Sequence, residues 1–282
     1  MPEHTDIPID LAQMDAIAVE LATLAGAEIV NALGGLFTVR YKTGAASDQS
    51  LWRDPVSEVD GRVETLIRAR LAEHFPRHDI IGEEMQERPG RDHDFVWAVD
   101  PIDGTTNFVN GFPMFAASIG VLCRGRPIGG AVWCSVTHAL RAGVYHAVAG
   151  GKLRFEGNDV VPKINPAVQR RLAGVPVPLD DATWDTRKTG SAALECALVA
   201  AGLLQVARFA TPNIWDIAGG LALVEAGGGT ARRFDGKQWR PMQRFEAQGH
   251  EGSAADLRYW RGGVIIGEPD SVERMAAAYP NG

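Results

Sequence analysis

Apolar residues recur at helical spacing from about Asp10 to Leu33, through Leu11, Met14, Ile17, Ala18, Leu21, Leu24 and Ala25. This periodicity predicts an amphipathic helix, which Gly34 and Gly35 stop. A second stripe, Val59, Val63, Leu66, Ile67 and Leu71, predicts a helix from about Val56 to His74 that ends at Pro76. Between them, Thr38 to Trp52 is polar and glycine-containing and reads as a loop. Its nearness in sequence to Asp54 and Asp60 leaves two readings open: a flap over a site, or a surface insertion without a role.

Ile80-Ile81 is a short apolar run feeding into Gly82-Glu83-Glu84, and Phe95 to Val99 reads as a buried strand that ends on Asp100. Ala116 to Tyr145 reads as antiparallel strands with glycine turns near Gly125 and Gly129-Gly130, and Gly150-Gly151 marks a further turn. After about Phe155 the texture changes, with Pro162, Pro166, Pro176 and Pro178 punctuating a connecting region. A helix from about Ser191 to Ala201, a strand from Leu204 to Phe209 and a helix from Trp215 to Ala226 follow, the last closed by Gly227 to Gly229. A strand at Val264 to Ile266 leads into a C-terminal helix. A length of 282 residues has room for one large α/β domain or two packed subdomains. The change of texture favours two, residues 1–155 and 156–282.

Composition narrows the partners. The net charge of −7 argues against nucleic acid, whose proteins carry a basic face. It does not exclude an anionic substrate, because a bound cation reverses the local sign. Cys123, Cys134 and Cys196 are odd in number, far apart and without a C-x-x-C pair, so they read as buried thiols rather than disulfides or zinc ligands. The N-terminal decapeptide lacks an apolar core, and no run of eighteen apolar residues occurs. Neither a signal peptide nor a membrane span is expected, and the expected compartment is the cytoplasm.

The candidate chemistry lies in carboxylates. In Asp100-Pro101-Ile102-Asp103-Gly104-Thr105-Thr106, a strand delivers Asp100 at its end, where Pro101 interrupts the ladder. One turn then offers Asp100, Asp103 and the carbonyl of Ile102, a set of hard oxygen donors suited to Mg²⁺. Gly104-Thr105-Thr106 begins a helix whose free N–H groups favour a phosphate. Glu83 or Glu84, Asp216 and Asp60 are placed to complete an acidic cluster. Taken singly, each has an ordinary explanation: Asp103 and Asp216 as charges at helix starts, Asp60 in a capping box with Ser57, the Glu pair as a solvated turn. Their joint presence favours a metal centre.

With these blocks in view the chain resembles the inositol monophosphatase family. The resemblance rests on Gly82-Glu83-Glu84, on Asp100 to Phe108, on Trp215-Asp216 with Glu225-Ala-Gly-Gly, and on the acidic helix start Asp54 to Asp60, with Ser57 where threonine is usual. It runs from about Leu11 to Gly267. It implies a layered αβαβα sandwich, a homodimer, a small phosphorylated metabolite as substrate and inhibition by lithium. Glu83, Asp100 and the Ile102 carbonyl would hold one Mg²⁺, and Asp100, Asp103 and Asp216 a second, with a weaker third near Glu83. Thr105 and Asp60, beside Glu83, would orient and deprotonate the attacking water. Gly104, Thr105 and Thr106 would hold the phosphoryl group, and Gly190, Ser191 and Ala192 the alcohol portion.

At the substrate end the pattern departs. Inositol-cleaving members place an acidic residue shortly before the Trp-Asp pair, where this chain has Phe209. Either Phe209 is a core strand residue and Arg208 or Asn213 takes over the contact, or an aromatic and an arginine serve a base and a second phosphate, as in the branch that cleaves 3′-phosphoadenosine nucleotides. Histidinol phosphate and fructose 1,6-bisphosphate are further substrates within the resemblance. A non-catalytic binding partner on the same fold is a separate alternative.

Overall fold

The computed structural model describes residues 10–41, 55–162, 165–177, 183–249 and 254–282. Six helices are described: α1 Leu11–Ala32, α2 Glu58–His74, α3 Thr105–Val109, α4 Ala192–Ala200, α5 Ile214–Ala226 and α6 Pro269–Ala278. Helix α1 starts where predicted because the Asp10 carboxylate accepts from the N–H of Gln13 at 2.9 Å. Helix α2 starts at Glu58 rather than Val56. Ser57 caps it, and its N–H bonds back to Asp60 at 2.9 Å in a capping box. Pro55–Ser57 (β2) instead pairs antiparallel with Val39–Tyr41 (β1), so the segment read as a loop from Thr38 begins as a strand. The rest of that loop, with the flap reading attached to it, lies outside the described residues.

A seven-stranded sheet runs in chain order from β3 to β9: Asp79–Gly82, Phe95–Asp103, Ala116–Cys123, Arg126–Cys134, Gly143–Val148, Arg154–Phe155 and Asn158–Asp159. Only the first pair is parallel. The second sheet uses β10 Leu172–Gly174, β11 Asp185–Arg187, β12 Val206–Phe209, β13 Thr230–Phe234, β14 Trp239–Pro241 and β15 Val264–Gly267. Its order is β11-β10-β12-β15-β13-β14. Helices α1 and α2 cover the outer face of the first sheet, α4 and α5 lie between the sheets, and α6 covers the outer face of the second. The result is an αβαβα layered sandwich. Helix α5 is buried almost all round, as its Ile-Ala-Gly-Gly-Leu-Ala-Leu-Val run requires of a central layer.

Two expectations about strands are corrected. Strand β4 does not stop at Asp100: pairing with β5 resumes at Asp103 opposite Ala116, across a bulge. The bulge takes Pro101 and Ile102 out of register, so the missing proline N–H is not needed. Gly129-Gly130 is not a turn but the interior of β6, while the β5–β6 turn is Arg124-Gly125, both at positive φ. A Cβ on Gly130 would lie 2.2 Å from the carbonyl oxygen of Gly219, so these glycines admit α5 against the sheet. Strands β10, β11, β13 and β14 were not expected from the sequence.

Candidate active site

Asp60, Glu83, Asp100, Asp103 and Asp216 reach one region from four elements or loops, Asp100 and Asp103 both from β4. Asp60 is the third residue of α2 and fully buried. One carboxylate oxygen accepts from the Ser57 N–H at 2.9 Å and hydroxyl at 2.5 Å. The other faces the Thr105 hydroxyl at 3.1 Å, which also stands 2.9 Å from the Ile102 carbonyl. Thr105 has one proton for these two acceptors. Burial raises Asp60 to about 6 against the lowering effect of the Ser57 hydrogen bonds, and the Glu83 charge adds to the rise. The Glu83 N–H bonds to the Val99 carbonyl at 3.2 Å, which fixes its loop beside the end of β4.

Asp100 is buried, and its Oδ1 has no hydrogen-bond partner. Burial holds it well above the usual carboxylate range, reinforced by the charges of Glu83, Asp103, Asp216 and Asp60. Asp103 accepts from the Ser191 hydroxyl and the Ala193 N–H, both at 2.6 Å, and burial outweighs these bonds to push it to about 7. Asp216 accepts from the Asn213 N–H at 2.7 Å as the partner in α5's capping box. Burial first, then the Asp103 charge, lifts it to about 8.

Gly104, at φ +92, caps α3, whose first turn holds Thr105 and Thr106. Asn107 donates to the carbonyls of Met114 at 2.6 Å and Thr189 at 2.8 Å, which seats the 189–191 loop beside that turn. Ser191 caps α4 and Ala192 is its first residue. Gly190, Ser191, Ala192, Phe209, Asp103 and Asp216 all border one cavity of about 320 Å³. Phe209 is a core residue at its wall, 7 % exposed. Arg208 borders the same cavity, with its guanidinium carbon 4.0 Å from the Tyr279 ring centroid, and Asn213 is engaged in capping. The sequence reading missed Glu195, which borders the same cavity and accepts from the Thr189 hydroxyl at 2.8 Å. It also missed buried Glu64, although an acid within the apolar stripe of α2 was a legible signal.

The donor set fits a hard cation. Among the described residues no three His, Cys, Asp or Glu side chains already close on one point tightly enough to cage an ion. What stands there is a ring of mutually repelling carboxylates with one orphaned oxygen on Asp100, which a positive charge would satisfy.

A layered α+β sandwich with an acidic pocket where strand and helix ends meet is the setting of the site, and likeness to known proteins supplies its class, a hydrolase of phosphoric monoesters. The chain belongs to the inositol monophosphatase family, whose profile matches residues 10–259. The chloroplastic phosphatase IMPL1 of Arabidopsis thaliana is 32% identical over 246 residues, 80% of this chain and 64% of that protein's length. The Nus factor SuhB of Escherichia coli K12 is 30% identical over 258 residues, 86% of this chain and 90% of SuhB. In fold, the extragenic suppressor protein suhB of Bartonella henselae matches with a TM-score of 0.74 at 24% identity, covering 96% of this chain and 99% of that one.

Proposed function

We propose that this phosphoric monoester hydrolase is Mg²⁺-dependent and cleaves a small phosphorylated metabolite in the cytoplasm, as a homodimer whose subdomains are residues 1–155 and 156–282. Inositol 1-phosphate heads the substrates, ahead of 3′-phosphoadenosine 5′-phosphate, histidinol phosphate and fructose 1,6-bisphosphate. The observation that carries the reading is the buried, unpartnered Oδ1 of Asp100 amid four further carboxylates. Glu83, Asp100, the Ile102 carbonyl, Asp103 and Asp216 would hold two ions, with a weaker third near Glu83. Lithium would compete for one of these positions. Bound Mg²⁺ supplies positive charge against the phosphoryl oxygens and makes a neighbouring water easier to deprotonate.

The chain's own residues supply the rest. Asp60 takes the water's proton, and the Thr105 hydroxyl, held between Asp60 and the Ile102 carbonyl, orients that water. As the new P–O bond forms, the bond to the alcohol oxygen breaks; that oxygen takes a proton from solvent, and Asp60 returns the proton it took to solvent. The turn at Gly104, Thr105 and Thr106 faces the phosphoryl group. Gly190, Ser191, Ala192 and Phe209 border the space for the alcohol. The apolar Phe209 wall supports an alcohol with an unsubstituted face and weakens the case for a hydroxyl contact at that position.

Asp100→Asn tests the assignment. It should abolish phosphate release while leaving the far-ultraviolet circular dichroism unchanged, and it should remove the rise in Tm that Mg²⁺ gives the parent. Near-normal turnover would sink the metal assignment. A second reading, a binding role beside hydrolysis, is favoured by the name Nus factor borne by the E. coli relative.

A further inference from the structure

The Glu83 loop is held from two directions. From α2, the fully buried carboxylate of Glu64 accepts from the N–H groups of Glu84 at 2.7 Å and Met85 at 3.2 Å, and from Arg68 Nε at 2.8 Å. A Cβ on Gly82 would lie 2.0 Å from that carboxylate, so the loop passes it at a distance only glycine allows. From the far end of the sequence, Arg258 Nη1 donates to the carbonyls of Gly82 at 2.8 Å and Met85 at 3.2 Å, while Nη2 stands 3.5 Å from the Glu83 carbonyl. The same guanidinium lies over the Trp215 ring, its Cζ 5.3 Å from the ring centroid. Trp215 immediately precedes Asp216.

We propose that Arg258 is a positioning residue for the metal centre: one guanidinium joins the loop carrying Glu83 to the helix start carrying Asp216. The inference rests on the metal reading above. Glu83 and Asp216 are 133 positions apart in sequence (216 minus 83), the first in the loop after β3 and the second in the first turn of α5. Like charges held close repel in the absence of a cation. A brace between their backbones holds two ligands at the spacing that an ion requires and limits their retreat from one another. Arginine suits the task because its planar fork donates to several carbonyls while its face rests on an indole; a lysine ammonium offers a single point and no face. Segment 256–258 is itself anchored, since Asp256 accepts from Arg88 at 2.8 Å and from the Arg258 N–H at 2.8 Å.

The test is a MgCl₂ titration of thermal unfolding, read by circular dichroism, on the full chain. The parent, Arg258→Lys, Trp215→Leu and the control Met275→Ala are compared. Met275 is fully buried on the inner face of α6, in a cluster apart from the acidic pocket, so its truncation lowers stability without touching the brace. Arg258→Lys should need ten- to a hundredfold more Mg²⁺ for half the rise in Tm, the usual cost of losing a group that orients metal ligands. Trp215→Leu should move the midpoint the same way by at least threefold, and it carries the test alone if the lysine variant does not fold. Met275→Ala should lower Tm with the midpoint unchanged. A midpoint within twofold of the parent in both brace variants would overturn the positioning role. A parent whose Tm ignores Mg²⁺ would instead overturn the metal reading on which the proposal stands.

Discussion

Asp60→Asn separates what the site costs from what it does. Asp60 is fully buried and its pKa rises from 3.8 to about 6, a figure that already contains the opposing hydrogen bonds from Ser57 and Thr105. At 1.36 kcal/mol per pK unit, keeping it ionised in the folded chain costs roughly 3 kcal/mol. Below about pH 4 both folded and unfolded chains hold the proton and there is no penalty. Between about pH 4 and 6 the folded chain binds more protons than the unfolded one, so stability falls as pH rises through that window. An asparagine does not titrate, and it keeps an oxygen for the Ser57 N–H but turns an amide toward Thr105. That imperfect pairing costs about 1 kcal/mol. The variant should therefore match or trail the parent at pH 4.5 and exceed it by about 1–2 kcal/mol at pH 8, a gain of a few degrees in Tm. The assay is thermal unfolding in EDTA, so that only the protein's own charges act. With Mg²⁺ and substrate the same variant should lose about 10²- to 10⁴-fold in turnover, as expected for a missing proton acceptor. A stability difference that is the same at both pH values, or a variant less stable at pH 8, would refute the reasoning.

Other consequences follow from the same geometry. Asp103 and Asp216, raised to about 7 and 8, must lose protons to hold a cation, so the Mg²⁺ needed for half-saturation should fall between pH 6.5 and 8.5; a flat isothermal titration series would contradict this. Ser57→Ala removes a hydrogen bond that lowers the Asp60 pKa, so the acid limb of the pH–rate profile should move upward, with about 1 kcal/mol of stability lost at the helix cap; an unmoved limb would count against Asp60 as the base. Gly130→Ala places a methyl where the Gly219 carbonyl stands and should destabilise by about 1–3 kcal/mol in denaturant titration; a neutral result would mean that α5 is free to shift.

Much of the candidate site was legible because its proposed ligands sit in short local patterns. Asp100 to Thr105 is one strand end and the following turn, Glu83 follows an apolar run, and Ser57 and Asp60 announce a capping box. The helices were legible for the same reason: caps and periodicity are local. Misreadings arose where one residue type serves two physical purposes. A glycine pair marks a turn and also a close helix crossing, and only the tertiary position of Gly219 shows which holds at Gly130. Proline stops a regular ladder but is accepted at a bulge, so the end of β4 was placed too early. Strands β13 and β14 carry arginines on half-buried and exposed positions near the edge of their sheet, without the alternation that signals a strand. Arg258 had no local signal at all, because its partners at Gly82, Met85 and Trp215 come together only in the fold.

The central claim is metal-dependent hydrolysis of a small phosphate monoester. It is tested most directly by phosphate release at several millimolar Mg²⁺ from inositol 1-phosphate, 3′-phosphoadenosine 5′-phosphate, histidinol phosphate and fructose 1,6-bisphosphate, each with an EDTA control. The account predicts release that EDTA abolishes, with one substrate well ahead of the others and inositol 1-phosphate the first expectation. Folded protein that is silent on every substrate, or turnover indifferent to EDTA, would contradict it.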